Sequence, residues 1–360
     1  MMGSVRRWID GFLGQGEAAP TIPPMDGALY PNNALEEADV ACAAPDADNL
    51  VSAGAEIYFT SGNRLMRITA DGGQAREIRG FDRPMTCLAH NGDTFAAGFD
   101  DGSLALFDAA ARAETFRVSG ITCPTALTFD GDTLIVCNGS ATHAPSQWRR
   151  DLMLLGATGS VHRLSVKDRS SRAVAGRLAF PFGVCLAGGR LIVSEAWRHR
   201  LVDATNGPKP VLEDLPGYPS RIVAARDGGY WLCIFAPKRQ LVEFMLREGA
   251  YRKRMIADIE EQYWVAPSLI AASSGLQPMQ HGALKIHGKM KPWAPSFSYG
   301  LLVRLNSEFR PVFSWHSRAD GKRHGIVSCL DTPSGIYIAS RGNQEILRMQ
   351  PDHNDEGVPA

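Results

Sequence analysis

Three kinds of side chain in this 360-residue sequence could do chemistry: histidines close to a carboxylate, isolated hydroxyls, and an arginine in a polar turn. His143 stands near Trp148, Arg149, Arg150 and Asp151. An imidazole with a neighbouring carboxylate is what a general base needs to take a proton from water, the step that opens an ester or lactone without a metal. His324 has Ser328 four residues on, and His281 and His287 lie in a lysine-containing stretch. For each of them the competing reading is a hydrogen-bonded loop imidazole. In Tyr218-Pro-Ser-Arg221, the guanidinium could grip a carboxylate or phosphate with two parallel hydrogen bonds. A GxSxG elbow is absent, so a Ser-His-Asp triad has no support in the sequence.

Composition narrows the partners. Lys plus Arg and Asp plus Glu both number 38, so no overall field draws the chain to nucleic acid or to an anionic membrane. The run Trp148-Arg-Arg150 has no interleaved aromatic stripe and reads as a solvated loop. Seven scattered cysteines without a CxxC suit buried, reduced thiols rather than a disulfide framework. No stretch approaches the ~20 apolar residues of a membrane span. The N-terminus lacks a signal peptide's apolar centre, and Trp8, Ile9, Phe12 and Leu13 fit a short amphipathic helix docked on the protein's own surface. Cytoplasm is the expected location, and a small molecule the expected partner.

What positions these groups is a repeat. Short apolar strands, each after a Gly-containing or acidic turn, carry Ile57, Phe95, Leu134, Leu191, Tyr230 and Ile336, separated by 38, 39, 57, 39 and 106 residues. A period near 39 with two insertions, 138–156 and 238–297, accounts for all five separations. Strand-turn-strand content at that period predicts a β-propeller with one four-stranded blade per repeat. The last blade runs out of chain one strand short, and Ala38–Cys42 can supply it, closing the ring and removing two exposed sheet edges. The reading is an all-β, six-bladed propeller over 36–350, with an N-terminal extension (1–35), a C-terminal tail (351–360) and helical spacing in Leu241–Leu246 and Arg254–Ile259 of the second insertion. Loops extended on one face of a propeller commonly build its site.

Several of these stretches resemble the strictosidine synthase-like family: Leu215-Pro-Gly-Tyr-Pro219 with Asp227-Gly-Gly-Tyr-Trp231, Phe180-Pro-Phe-Gly-Val184 with Leu191-Ile-Val-Ser-Glu195, and Trp148–Asp151 with Gly159 and Arg163. Leu241–Ile256 and Tyr299–Leu305 look like the branch that includes the animal adipocyte plasma membrane-associated protein. The resemblance spans about residues 45–350 and implies six blades, as in the related SMP-30/gluconolactonases and paraoxonases. In metal-dependent relatives a divalent cation sits at the channel mouth on a Glu, Asn and Asp residues. The equivalent positions here are Asp48, Thr86, Thr125, Phe182 and Ser220 with Arg221. Three of the expected oxygen ligands are missing and one is a cation, so no metal is expected; calcium is disfavoured, with Asp48 its one candidate ligand. The carboxylate that serves strictosidine synthases is replaced by Val327 or Ser328, which argues against that activity.

Arg221 should therefore face Asp48. Either the two plug the channel as a structural pair, with Thr86 and Thr125 completing hydrogen bonds, or Arg221 receives an anionic ligand. The expectation taken forward is a metal-independent small-molecule hydrolase or lyase acting on an anionic substrate. Its catalytic candidates are His324, His143 and Ser328, and its binding candidates are Arg221, Asp48, Thr125, Phe182, Tyr218 and Trp148. The alternatives are a non-catalytic ligand- or protein-binding propeller and a metal-dependent lactonase of the SMP-30 type. A channel sealed by Asp48 and Arg221 would count against the hydrolase or lyase. Oligomeric state and substrate are not legible in the sequence.

Overall fold

The computed structural model describes residues 22–69, 73–92, 94–108, 113–271 and 297–350, with the backbone of 285–286 and 289–290. Six four-stranded antiparallel sheets form the blades. Their innermost strands are Ala47–Ala53, Met85–His90, Pro124–Asp130, Pro181–Ala187, Gly217–Ala224 and Ile326–Thr332. All six periodic strands read from the sequence are the second strands of their blades, from Glu56–Ser61 to Gly335–Ser340. The ring closes as expected: Asp39–Ala43 is the outermost strand of blade 6, paired with Glu345–Met349.

Those second strands read as unbroken apolar runs because both of their faces are covered. In Thr133–Asn138, Leu134 and Val136 pack toward blade 2 with Cys87 and Ala89, while Ile135 and Cys137 pack toward blade 4 with Val184 and Leu191. In blade 5, Trp231 and Cys233 turn toward blade 6, and Leu232 and Ile234 toward blade 4. Successive side chains of a strand point to opposite faces, so each blade supplies half of two apolar layers. All seven cysteines are buried and unpaired with one another in disulfides. Burial pushes the thiols of Cys42 and Cys87 up to about 11 and 12, which leaves little thiolate to be oxidised.

The inner strands share one irregularity. In every blade the pairing of the first and second strands slips by one residue near the top of the channel, for example between Asp48 and Val51, Pro124 and Ala126, and Pro219 and Ile222. The same slip occurs at Met85/Cys87, Pro181/Gly183 and Ile326/Ser328. A bulge places two residues opposite one and re-aims a side chain. Repeated around the ring, it turns a polar residue toward the axis in five blades and Phe182 in blade 4.

Both insertions rise from the ends of second strands. The first carries the helix Trp148–Met153, and the second carries Gln240–Arg247 and Gly249–Asp258, which meet the two stretches of helical spacing. No helix among the described residues is long and apolar enough to cross a membrane. The expected helix around Trp8–Leu13, His281, His287 and the tail 351–360 lie outside the described residues.

Candidate functional site

The bulges build a closed girdle around the channel, each blade bonded to the next. Asn49 Nδ2 donates to the Thr86 carbonyl (3.3 Å), Thr86 Oγ1 to that of Pro124 (2.6 Å), and Thr125 Oγ1 to that of Pro181 (2.5 Å). Ser194 Oγ donates to the Ser220 carbonyl (2.6 Å) and Ser220 Oγ to that of Val327 (3.0 Å). Ser328 Oγ closes the circle by accepting the Leu50 amide at 2.9 Å. Six short polar side chains thus answer backbone groups left over by the bulges, which would be costly to bury unpaired. Gly183 belongs to the same construction: a Cβ there would lie 2.2 Å from the Ser220 carbonyl.

Arg221 fills the centre of the girdle. Its Nε and Nη2 donate to Asn49 Oδ1 at 3.0 and 2.7 Å, Nη2 also to the Thr86 carbonyl at 3.0 Å, and Nη1 to the Phe182 carbonyl. Asp48 Oδ2 stands 3.4 Å from Nη2, and the guanidinium lies over the Phe182 ring, 4.8 Å from its centroid. The residue is 7% exposed. Asp48 does face Arg221, as the repeat register implies. The stronger partner is Asn49, which sequence reasoning missed. Asn49 takes a left-handed φ of 55° inside the strand, a conformation Asn tolerates better than most residues, and this swings its amide onto the axis. An Asn directly after the channel-facing Asp was the signal available.

This plug divides the channel. Below it, a cavity of about 370 Å³ ends at Asn49 and Arg221. Above it, a mouth cavity of about 430 Å³ is walled by Trp148, Phe182 and Phe235, with Leu269 from the second insertion. Phe182 and Trp148 each meet Phe235 edge-on at 5.6 Å, so the aromatic wall is pre-packed. The acidic groups around the mouth differ in how fully they are answered. Asp46 pairs with Arg341 at 3.0 Å, and Asp100 takes the Ser146 amide and hydroxyl at 2.7 and 2.8 Å. Asp48 Oδ1 accepts the Asn49 amide at 2.7 Å, while among the described residues Oδ2 has only the long contact with Arg221.

The other candidates are distributed as follows. His143 sits on the first insertion with Nδ1 3.1 Å from Asp151 Oδ2, and Asp151 Oδ1 accepts Trp197 Nε1 at 2.8 Å. Asp151 is buried, and Gly156 leaves it room, since a Cβ there would stand 2.1 Å from the carboxylate. His324 corrects the expectation of a channel-facing imidazole. It is fully buried, with Nε2 donating to the Arg318 carbonyl and Nδ1 accepting from Ser298 Oγ, both at 2.7 Å. The turn at Gly325, φ 63°, separates it from the inner strand and aims it outward. Burial holds it below the usual imidazole range. Ser328 and Thr125 are girdle residues, not a nucleophile and a ligand contact. Tyr218, also fully buried, donates to Glu243 at 3.2 Å and does not line the mouth.

A hard divalent cation takes about six oxygens. Here the ring offers one carboxylate, hydroxyls already donating to carbonyls, and a guanidinium at the centre, so the donor set does not fit one. Among the described residues no group of three His, Cys, Asp or Glu side chains is arranged to hold a metal. A further cavity of about 650 Å³ opens between blades 5 and 6 on the opposite face. Arg304 pairs there with Asp227 at 2.6 Å, and Asp331 accepts the Trp231 indole N–H at 3.2 Å.

No protein-family model matches the chain, and no curated protein matches it in sequence. Among solved structures, a luciferin-regenerating enzyme is similar over 86% of this chain and 93% of its own, at 10% identity and a TM-score of 0.52. A chain of a nidogen/laminin complex is similar over 54% of this chain and 72% of its own, at 15% identity and a TM-score of 0.41. At such identities only architecture is shared, and sites are grafted on folds. What the chain has in common with the luciferin-regenerating enzyme is the β-propeller.

Proposed function

We propose that this chain is a small-molecule-binding propeller of the strictosidine synthase-like kind, with its site in the mouth cavity above a sealed channel. One observation carries the reading. The mouth combines a pre-packed aromatic wall with carboxylate oxygens that are not fully answered among the described residues, Asp48 Oδ2 foremost with Asp46 beside it, whereas Arg221 beneath them is engaged by four internal acceptors. A pocket of a few hundred Å³ lined by aromatic rings with one or two directed polar groups is the usual form of a small-molecule site. This reverses the expected sign of the ligand: Arg221 cannot receive an anion without losing its own partners, and the nearest open group is a carboxylate. The ligand fitted to this mouth is compact, non-anionic and carries a hydrogen-bond donor. Seven buried thiols suit a reducing compartment, in keeping with the cytoplasm.

The test is a calorimetric screen of compact ring compounds against wild type and Trp148→Ala. Ligands bound by wild type and weakened about tenfold or more by Trp148→Ala support the mouth as the site. Binders that lose nothing in Trp148→Ala place it elsewhere.

A second reading, a metal-independent hydrolase, is favoured by the His143–Asp151 pair, in which a buried carboxylate orients an imidazole beside residues that line the mouth. Ester and lactone turnover that persists in EDTA and falls at least about a hundredfold in His143→Gln would establish it. Absence of turnover across the bound ligands would leave the binding protein.

A further inference from the structure

The second insertion is tied to the propeller by three side chains that no part of the proposed ligand site uses. Glu243, on the helix Gln240–Arg247, stands 3.3 Å from His199 Nε2 and accepts the Tyr218 hydroxyl at 3.2 Å. His199 comes from the turn after the second strand of blade 4, and Tyr218 from the inner strand of blade 5. The clasp therefore joins the insertion to two blades at once. Its side chains are largely buried, 8% exposed for His199 and 15% for Glu243.

The hydrogen bonds fix how many protons the clasp holds. His199 Nδ1 lies 3.0 Å from the Gly217 carbonyl, which can only accept, so Nδ1 carries a hydrogen. A neutral imidazole would then present the bare lone pair of Nε2 to a carboxylate oxygen. The contact is attractive only when one more proton sits between Nε2 and Glu243. Although burial pushes the Glu243 carboxyl up, the N–H and charge of His199, the charge of Lys238 and the Tyr218 hydroxyl outweigh it and hold that carboxyl below its usual range. With that proton on Nε2, the contact is an ionic hydrogen bond. The charged and titratable groups facing the pair are Lys238 from the insertion and Tyr218 from blade 5. Arg198 and Arg200, which flank His199 in sequence, are held by Glu195.

We propose that His199, Tyr218 and Glu243 form a proton-dependent clasp that holds the Gln240–Arg247 helix against blades 4 and 5 and releases it as the pH rises. The insertion reaches the mouth through Leu269, and the helix buries Val242 and Met245 in the fold, with Met245 in the same core cluster as Phe235 of the mouth wall. With the proton present, an ionic hydrogen bond pins the helix. When it leaves, a buried carboxylate faces a lone pair and the Gln240–Arg247 helix loses its anchor. The clasp does not depend on what the mouth binds, so it stands or falls separately from the function proposed above.

The experiment is hydrogen–deuterium exchange of the full chain at pH 5.5, 7.0 and 8.5, corrected for the intrinsic pH dependence of exchange. The expected result is that protection of peptides covering 240–258 falls at least about tenfold from the lowest to the highest pH, while the second strands of the blades change little. In Glu243→Gln the carboxylate is gone, and protection of the helix becomes independent of pH. His199→Gln supplies a donor that does not titrate and should give the same flat profile. Should either variant fold poorly, the second strands report it and the other variant decides. Constant protection in wild type, or the same pH dependence in wild type and both variants, overturns the clasp.

Discussion

The channel plug and the mouth directly above it share Asp48 and Phe182, yet they differ in how their polar groups are answered. In the plug, the donors of Arg221 and the hydroxyls of the girdle meet acceptors inside the protein. One layer higher, Asp48 Oδ2 and the faces of Trp148, Phe182 and Phe235 border a cavity. What sets the polar groups of the plug apart from those at the mouth is saturation. A buried group whose partners are all internal resists any ligand, because the ligand must first replace them.

The largest effect should come from breaking the plug. Arg221→Ala takes the donor away from Asn49 Oδ1, Asp48 Oδ2 and the Phe182 carbonyl beside a void, and removing one partner of a buried charged network costs about 3–5 kcal/mol. Chemical denaturation should show a loss of that size, with Arg221→Lys in between because an ammonium cannot reproduce the planar fork. A stable Arg221→Ala protein that has lost ligand binding would mean the guanidinium serves the mouth, and the contrast drawn above would fail.

Acid tests a different buried region. His316, between the Tyr299 hydroxyl (3.0 Å) and Ser314 Oγ (2.8 Å), is pushed down to about 3 by burial. His324 is lowered for the same reason. Since the unfolded imidazole titrates near ~6.5, the unfolded chain binds more protons between there and about pH 3, and stability must fall as the pH drops through that window. Each such histidine contributes up to about 1.4 kcal/mol per pH unit. The midpoint of urea unfolding should fall between pH 7 and pH 5, and His316→Gln should flatten the dependence. A profile unchanged by that variant would assign acid sensitivity elsewhere. Global stability then weakens on acidification while the clasp at His199 weakens on alkalinisation, so the two are separable in one titration.

How much of this was legible follows from the physics of each element. The period near 39 survives in the sequence because every second strand is buried on both faces and must stay apolar. The N-terminal closing strand could be inferred because an unpaired blade is an exposed edge. Register along the repeats carried Asp48, Thr86, Thr125, Phe182, Ser220 and Arg221 to one level of the channel, where the bulges hold them. What the pattern could not carry is direction. The turn at Gly325 rotates His324 away from the axis, and the left-handed Asn49 takes the place of Asp48 as principal partner of Arg221. Nor does residue type show whether a hydroxyl is engaged, so Thr125 and Ser328 looked equally able to serve a ligand or the backbone.

The girdle should be felt more gently than the plug. Thr125→Val keeps shape but removes the donor to the Pro181 carbonyl, a loss of about 1–2 kcal/mol if that carbonyl is left dry. Because the hydroxyl does not reach the mouth, affinity for any mouth ligand should be unchanged in calorimetry. A drop in affinity without a drop in stability would return Thr125 to the site.

The smallest change in stability is expected where the two regions touch. Asp48 belongs to the plug through its 3.4 Å contact with Arg221 and to the mouth through the edge it presents to the cavity. Asp48→Asn keeps the volume and an oxygen acceptor while removing the charge. Since Arg221 retains Asn49 and two carbonyls, and since the contact is long, the stability cost should be under about 1 kcal/mol, the range of weakly coupled ion pairs. Binding should respond more strongly, because an amide is a poorer acceptor than a carboxylate for a ligand donor in a partly desolvated cavity. Calorimetry and denaturation on this one variant therefore place the boundary. A shift in affinity of about tenfold with stability nearly intact puts Asp48 in the mouth. A loss of several kcal/mol with affinity intact would extend the sealed plug up to the floor of the cavity, leaving the aromatic wall alone to choose the ligand.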